Sequence, residues 1–111
     1  MRMKRALRKL RRFLERDLWE IPEVVAAVRE LEKMALEHDW YPTDLIDFEL
    51  MYEPGLRSLT VVFSAPPAET LDEGTTRKMH ELQDVIATAV QSFVLKTLEA
   101  EGLPWEVVNE L

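Results

Sequence analysis

The feature that most constrains the fold of this chain is an amphipathic pattern in its first 18 residues. Apolar residues recur there at intervals of three and four, which places them in one arc of a helical wheel. The members of this arc are Met3, Ala6, Leu7, Leu10, Phe13, Leu14 and Leu18. The spacing predicts a helix with an apolar stripe that has to be buried. Pro22 predicts that this helix ends near Trp19 and Glu20, because the residue before a proline is disfavoured in helical geometry.

The opposite side of the same helix is strongly basic. Residues 1–16 contain eight Lys or Arg against one acidic residue, Glu15, which is a net charge of +7. The whole chain has a net charge of −7, so the remainder carries −14. Charge asymmetry of this kind concerns partners and solubility more than fold. We therefore expect one domain over residues 1–111, made of a basic amphipathic helix at 1–20 and an acidic body at 21–111.

A second helix and a β-hairpin are predicted after Pro22. This proline suits the first turn of a helix, and the three-to-four spacing continues to about residue 38. After a loop at 39–42, apolar residues alternate in two runs joined by the turn Glu53-Pro54-Gly55-Leu56, where Gly55 permits the positive φ of a type II turn. The residues expected on the buried face of the hairpin are Ile46, Phe48, Leu50, Tyr52, Leu59, Val61 and Phe63.

A long helix is predicted after the hairpin and runs to about Glu101. Its start is marked either by a capping box of Thr70 and Glu73 or by Thr75, and Gly102 marks its end. Residues 104–110 alternate loosely and are predicted as a possible short third strand. The fold class is therefore α+β, with two N-terminal helices, an antiparallel hairpin, a long helix and a possible C-terminal strand in two layers.

Residues that could carry chemistry are few. The chain has no Cys, which excludes disulfides and thiolate metal sites and suits a reducing compartment such as the cytoplasm. His38 precedes Asp39, and His80 lies near Glu81 and Asp84, but no spacing directs further ligands to either histidine. We expect no metal, no cofactor and no enzymatic activity. A small hydrolytic site that brings one histidine beside two carboxylates is the alternative.

The function expected from the sequence is a protein–protein interaction or assembly module that associates with itself, as a homo-oligomer, or with another acidic protein. The apolar stripe would supply affinity and the basic residues orientation. The residues expected in this contact are Leu7, Leu10, Phe13 and Leu14 together with Arg5, Arg8, Lys9 and Arg12. The alternatives are docking of the helix onto its own chain, contact with nucleic acid phosphates, and binding at a membrane surface. No apolar run approaches the ~18–20 residues of a membrane span.

Overall fold

The computed structural model describes residues 2–64 and 72–111. Helices and strands follow one another as α1 (Arg2–Glu15), α2 (Pro22–Glu37), α3 (Thr43–Ile46), β1 (Phe48–Glu53), β2 (Ser58–Phe63) and α4 (Glu73–Glu101). Two 3-10 helices, Asp17–Glu20 and Trp105–Glu110, complete the described elements. The predicted α+β class is confirmed, with two N-terminal helices, an antiparallel hairpin and a long helix. Pro22 occupies the first turn of α2, as predicted.

The helix α4 is the element on which α1 is placed. Its 29 residues give it a length of about 43 Å. Phe13 of α1 stacks on Phe93 of α4, with ring centroids 3.9 Å apart. Arg5, about two turns before Phe13, reaches Glu101 at the end of α4. Because earlier residues of α1 meet later residues of α4, the two helices run antiparallel, and α1 covers the C-terminal half of α4.

The helix α2 continues along α4 in the same direction as α1. Lys78, in the second turn of α4, lies 3.5 Å from the carboxylate of Glu30 in the middle of α2. The start of α2 at Ile21 and Val24 borders Val85 and its neighbours farther along α4. The helices α1 and α2 therefore lie end to end on α4, joined by the 3-10 helix that follows α1.

The helices α2 and α4 end in the same way. Gly102 follows α4 with a φ of 62°, which confirms its predicted role as the left-handed stop. Asp39 follows α2 with a φ of 56°. After Asp39, the N–H of Trp40 donates to the carbonyl of Ala35 at 2.8 Å, which is the Schellman pattern. These ends fix where each helix stops.

The hairpin lies against the helices through one face. Phe48 pairs with Phe63 in the antiparallel register, and the inward residues predicted from the alternation are partly or fully buried. Gln91 of α4 donates from its side-chain amide to the carbonyl of Leu59 at 2.9 Å, which ties β2 to the long helix. The outer face of the hairpin exposes Met51. The helices thus form one layer and the hairpin the other, as expected.

One hydrophobic core joins the two layers. Its members come from α1, α2, α3, β2, α4 and both 3-10 helices. The largest side chains that are fully buried are Leu10, Leu18, Leu31, Leu45, Ile86, Val24, Val90, Val94 and Val107. Burial of a leucine-sized side chain contributes about 1.5–3 kcal/mol of hydrophobic free energy. The apolar stripes of the helices are therefore buried in the core of their own chain.

The C-terminal segment is not a strand, so the prediction of a third strand at 104–110 is wrong. Trp105–Glu110 forms a 3-10 helix that buries Val107 and Val108. The indole of Trp105 stacks on the ring of Tyr52 in β1, with centroids 6.1 Å apart and planes inclined by 7°. The segment therefore covers the neighbourhood of β1 by side-chain packing instead of by strand pairing.

Two turn details also differ from the prediction. The residue with a positive φ in the hairpin loop is Arg57, at 48°, and not Gly55. At the start of α4, Thr70 lies outside the described residues. Asp72 is the N-cap there, and its carboxylate accepts hydrogen bonds from the backbone N–H and the hydroxyl of Thr75 at 2.7 and 2.9 Å. These bonds lower the pKa of Asp72 below its ordinary value of 3.8.

Candidate interaction surface on the basic helix

The apolar face of α1 is buried in the core of its own chain. Leu10 is 0% exposed and Phe13 4%. Leu7 and Leu14 are half-buried and pack against the same core. Docking of the helix onto its own chain, one of the alternatives left open by the sequence, is thus the arrangement that the structure shows. Leu10 and Phe13 therefore offer no surface to a partner in this conformation.

A single carboxylate fixes one flank of α1. Arg5 donates from Nη2 and Lys9 from Nζ to the two oxygens of Glu101, each at 3.2 Å. Glu101 is only 9% exposed and is the last residue of α4, where the helix dipole disfavours negative charge. The hydrogen bond from Lys9, together with the charges of Arg5 and Lys9, outweighs burial and lowers the pKa of Glu101 below its ordinary value of 4.5.

This ion pair accounts for two of the cations that the sequence assigned to a partner. Arg5 and Lys9 are engaged within the chain by Glu101, a residue that the sequence did not single out. The available signal was its position immediately before the Gly102 stop, since a carboxylate at the negative end of a helix is unfavourable without a cation beside it. That signal does not say which cation would pair with it.

The other flank of α1 contacts the C-terminal 3-10 helix. Arg11 donates from Nη2 to the backbone carbonyl of Glu110 at 3.2 Å. With α4 on one side and this 3-10 helix on the other, the outermost face of α1 lies farthest from these contacts, and the flanking Arg5 and Lys9 are also 64% and 53% exposed. That face is the candidate functional surface.

The outermost face of α1 exposes a line of cations, which we call the basic row. It consists of Lys4, Arg8, Arg11 and Arg12 of α1, with Arg16 directly after the end of the helix. Four of the five recur at every fourth residue, so neighbours are about 6 Å apart along the axis and the line is about 18 Å long. Together with Leu7 and Glu15, these residues border a shallow depression of about 780 Å³.

The basic row is electrostatically unfavourable for the fold. Like charges four residues apart on a helix destabilise it by about 0.2–0.5 kcal/mol per pair, and the row contains three such pairs. The first turn of α1 has no acidic residue to offset its positive end. Arg12 lies 3.9 Å from Asp17. Within residues 2–64 and 72–111, Lys4, Arg8 and Arg16 have no ion-pair partner.

The histidines lie elsewhere and do not meet. His38 is exposed at the end of α2, where its ring stacks on Trp40 with centroids 4.7 Å apart. His80 is exposed on α4 and borders a separate depression that includes Glu81 and Asp84. In the part of the chain that the structure describes, no group of three or more His, Asp or Glu side chains is placed to hold a metal ion. The two imidazoles therefore face water on different parts of the surface.

Comparison with protein-family models, with curated proteins and with solved structures finds no match for this chain. Among the described residues, no helix combines the length and the apolar character needed to cross a bilayer. The geometry on which a functional proposal can stand is the basic row, held outward by an apolar face that is buried in the same chain.

Proposed function

We propose that this protein is a non-enzymatic binding module that contacts the phosphates of nucleic acids through the basic row. The observation that carries the proposal is the division of α1 between two uses. Its apolar face, with Leu10 and Phe13, is consumed by the core. Of the seven residues that border the depression on its outer face, five are cations and one, Leu7, is apolar.

This division favours a phosphate polymer over a protein as the partner. Exposed ion pairs between proteins contribute only about 0–1 kcal/mol each, and tight protein contacts rely on buried apolar anchors. Of the four anchors expected from the sequence, Leu10 and Phe13 are inside the molecule, and Leu7 and Leu14 are half-buried. Nucleic acids differ because cations that neutralise their phosphates release condensed counterions, so charge alone can supply affinity.

The acidic body opposes such binding without preventing it. The net charge of −7 repels a polyanion at long range. At physiological ionic strength the screening length is about 8 Å, so carboxylates beyond that distance from the basic row are largely screened. The acidic body then has a second effect, which is to confine the contact to the outer face of α1.

The second candidate is docking of the basic row onto an acidic protein surface, including that of a second copy in a homo-oligomer. The observation in its favour is the outer face of β1, where Glu49, Met51 and Glu53 alternate and are all exposed. An acidic face with an apolar residue at its centre complements a basic helix. In either case we propose a cytoplasmic location, which suits a chain that has no cysteine.

The proposal is tested by measuring the affinity for labelled 20-nucleotide DNA and RNA by fluorescence anisotropy at 50–200 mM salt. We expect binding that weakens steeply with salt, and a double variant, Arg8→Gln with Arg12→Gln, whose salt dependence is shallower by about 1–2 in log–log slope. The matched control is Arg29→Gln with Lys33→Gln, two exposed cations with the same spacing on α2. It should bind as the wild type does.

Two outcomes would count against nucleic acid. The absence of binding to any nucleic acid at the lowest salt would overturn the proposal. A dimer in light scattering that dissociates with salt and in the Arg8→Gln, Arg12→Gln variant, but not in the α2 control, would instead support the second candidate.

A further inference from the structure

The basic row also indicates which form of nucleic acid it suits. We infer that it binds double-stranded nucleic acid in preference to single strands, through the phosphates and without sequence preference. This inference rests on the proposed function. Charge density, the positions of the aromatic side chains and the way in which α1 is held all favour a duplex.

Charge density is the first argument. A site that binds through charge alone prefers the ligand that releases more counterions for each phosphate neutralised. That release is about 0.9 per phosphate for duplex DNA and about 0.7 for a single strand. For the five cations of the basic row, the expected log–log salt slopes are about −4.5 and −3.5. At 0.1 M salt the difference corresponds to about tenfold tighter binding of the duplex.

The aromatic side chains supply the second argument. Proteins that hold single strands stack the bases on exposed aromatic rings. On α1, the ring of Phe13 is already stacked on Phe93 in the core. The nearby indole of Trp19 is half-buried and donates from Nε1 to the carbonyl of Leu14 at 2.9 Å. None of the described residues that border the depression along the basic row is aromatic. A single strand would therefore gain no stacking there.

The third argument is the rigidity of the basic row. Core packing of Leu10 and the pair of bonds to Glu101 fix the position of α1 on the body. The backbone positions of these cations are consequently set before any ligand arrives. A duplex presents its phosphates at fixed positions, whereas a single strand has to be ordered along the line at an entropic cost. Preorganisation of this kind favours the stiffer ligand.

The flanks of α1 explain why no sequence preference is expected. A helix that reads bases has to enter the major groove, where its side chains reach the base edges. Here α4 and the C-terminal 3-10 helix hold α1 from both sides, through the bonds of Arg5 and Lys9 to Glu101 and of Arg11 to the carbonyl of Glu110. The backbone of α1 is therefore held against the body, and its exposed side chains are the groups that can reach a ligand. Contacts to phosphates position a protein on nucleic acid without reading its sequence.

The experiment compares four labelled probes by anisotropy at 100 mM salt. They are a 20-base-pair DNA duplex, a second duplex of unrelated sequence, an RNA duplex, and the separated strands of the first. We expect the two DNA duplexes to bind within about twofold of each other, and the separated strands about tenfold more weakly than their duplex. The RNA duplex should follow the DNA duplexes. In the Arg8→Gln, Arg12→Gln variant the preference for duplex should shrink, while circular dichroism shows an unchanged fold.

The outcomes separate this inference from the proposed function. Single strands that bind as tightly as duplexes would overturn the inference and leave nucleic acid binding in place. A difference above about tenfold between the two DNA duplexes would overturn the absence of sequence preference. Binding to none of the probes, or to anionic lipid vesicles alone, would overturn both proposals. A preference for duplex that keeps its full size in the Arg8→Gln, Arg12→Gln variant would show that the basic row is not its source.

Discussion

The helices α1 and α2 pack on α4 in the same manner but present opposite kinds of surface to solvent. Each runs antiparallel to α4 and buries a leucine completely, Leu10 in α1 and Leu31 in α2. The outer face of α2 mixes acidic and basic residues, and its Glu30 pairs with Lys78. Of the seven residues that border the depression on the outer face of α1, five are cationic and one, Glu15, is acidic. Because the fold requires only the apolar stripe, the excess of positive charge on α1 needs another explanation, and ligand binding is the one that we propose.

The largest expected effect tests whether α1 is packed on α4 as firmly as α2 is. Replacing Leu10 or Leu31 by Ala removes a fully buried side chain, and each change should lower the free energy of unfolding by about 2–5 kcal/mol. Chemical denaturation followed by circular dichroism measures both values. The control is Leu36→Ala, at a site 72% exposed, which should change stability by no more than about 0.5 kcal/mol. If Leu10→Ala alone lowered the free energy of unfolding by less than about 1 kcal/mol, the apolar stripe of α1 would not be docked on α4 and would be free to contact a partner.

A smaller effect tests the contact that α1 has and α2 lacks, the double pairing with Glu101. Glu101→Gln should lower the thermal midpoint at pH 7, but by less than Leu10→Ala. The folded protein holds the pKa of Glu101 below its ordinary value of 4.5. The carboxylate therefore stabilises the fold above that pH, and its contribution is lost as the pH falls through the folded value.

Thermal melts of the wild type and the Glu101→Gln variant between pH 7 and pH 3 measure this contribution. The two melting curves should converge as the medium becomes more acidic. The control is Glu99→Gln, on the exposed side of the same turn, which should show no such convergence. If the difference in melting temperature between the wild type and Glu101→Gln stayed constant with pH, the variant would act through altered packing and not through the lost charge.

The smallest effect concerns the outer faces. Arg8 has like charges four residues away on both sides, at Lys4 and Arg12. Arg8→Gln should therefore raise the free energy of unfolding, by about 0.5 kcal/mol, at low salt. Arg29→Gln on α2 should change it less, because Glu32 and Lys33 act on Arg29 with opposite signs. If Arg8→Gln instead lowered the free energy of unfolding, the basic row would stabilise the fold. Repulsion within the row would then no longer favour a role in binding.

Much of the fold could be predicted because the helices and the hairpin are long enough to show a period. The spacing of three and four identified α1, α2 and α4, and alternation identified the hairpin with its buried face. The segment Trp105–Glu110 is too short for that test, since Val107 and Val108 are compatible with a strand or with a tight helix. The four residues of α3, Thr43–Ile46, show no helical period, and Ile46 lies in this short helix although the alternation predicts it in the hairpin.

The candidate site could be predicted only in part. The helical wheel separated Leu10 and Phe13 from Arg8 and Arg12 correctly into an apolar and a basic face. It could not say what covers the apolar face, because that depends on contacts with residues far along the chain. Glu101, which holds one flank of α1, follows Arg5 by 96 positions. Local sequence patterns predict which side chains share a face of a helix. They do not predict which distant residues pack against that face in the folded chain.

The end-to-end placement of α1 and α2 on α4 has a consequence for biosynthesis. The stripe of α1 cannot be covered until α4 has been translated, about 90 residues later, which takes roughly 5–20 s at ordinary rates of elongation. During that interval Leu10 and Phe13 are exposed on the nascent chain. Neighbouring nascent chains then carry the same concentrated positive charge beside their exposed leucines. We expect this mutual repulsion to keep them apart until α4 arrives.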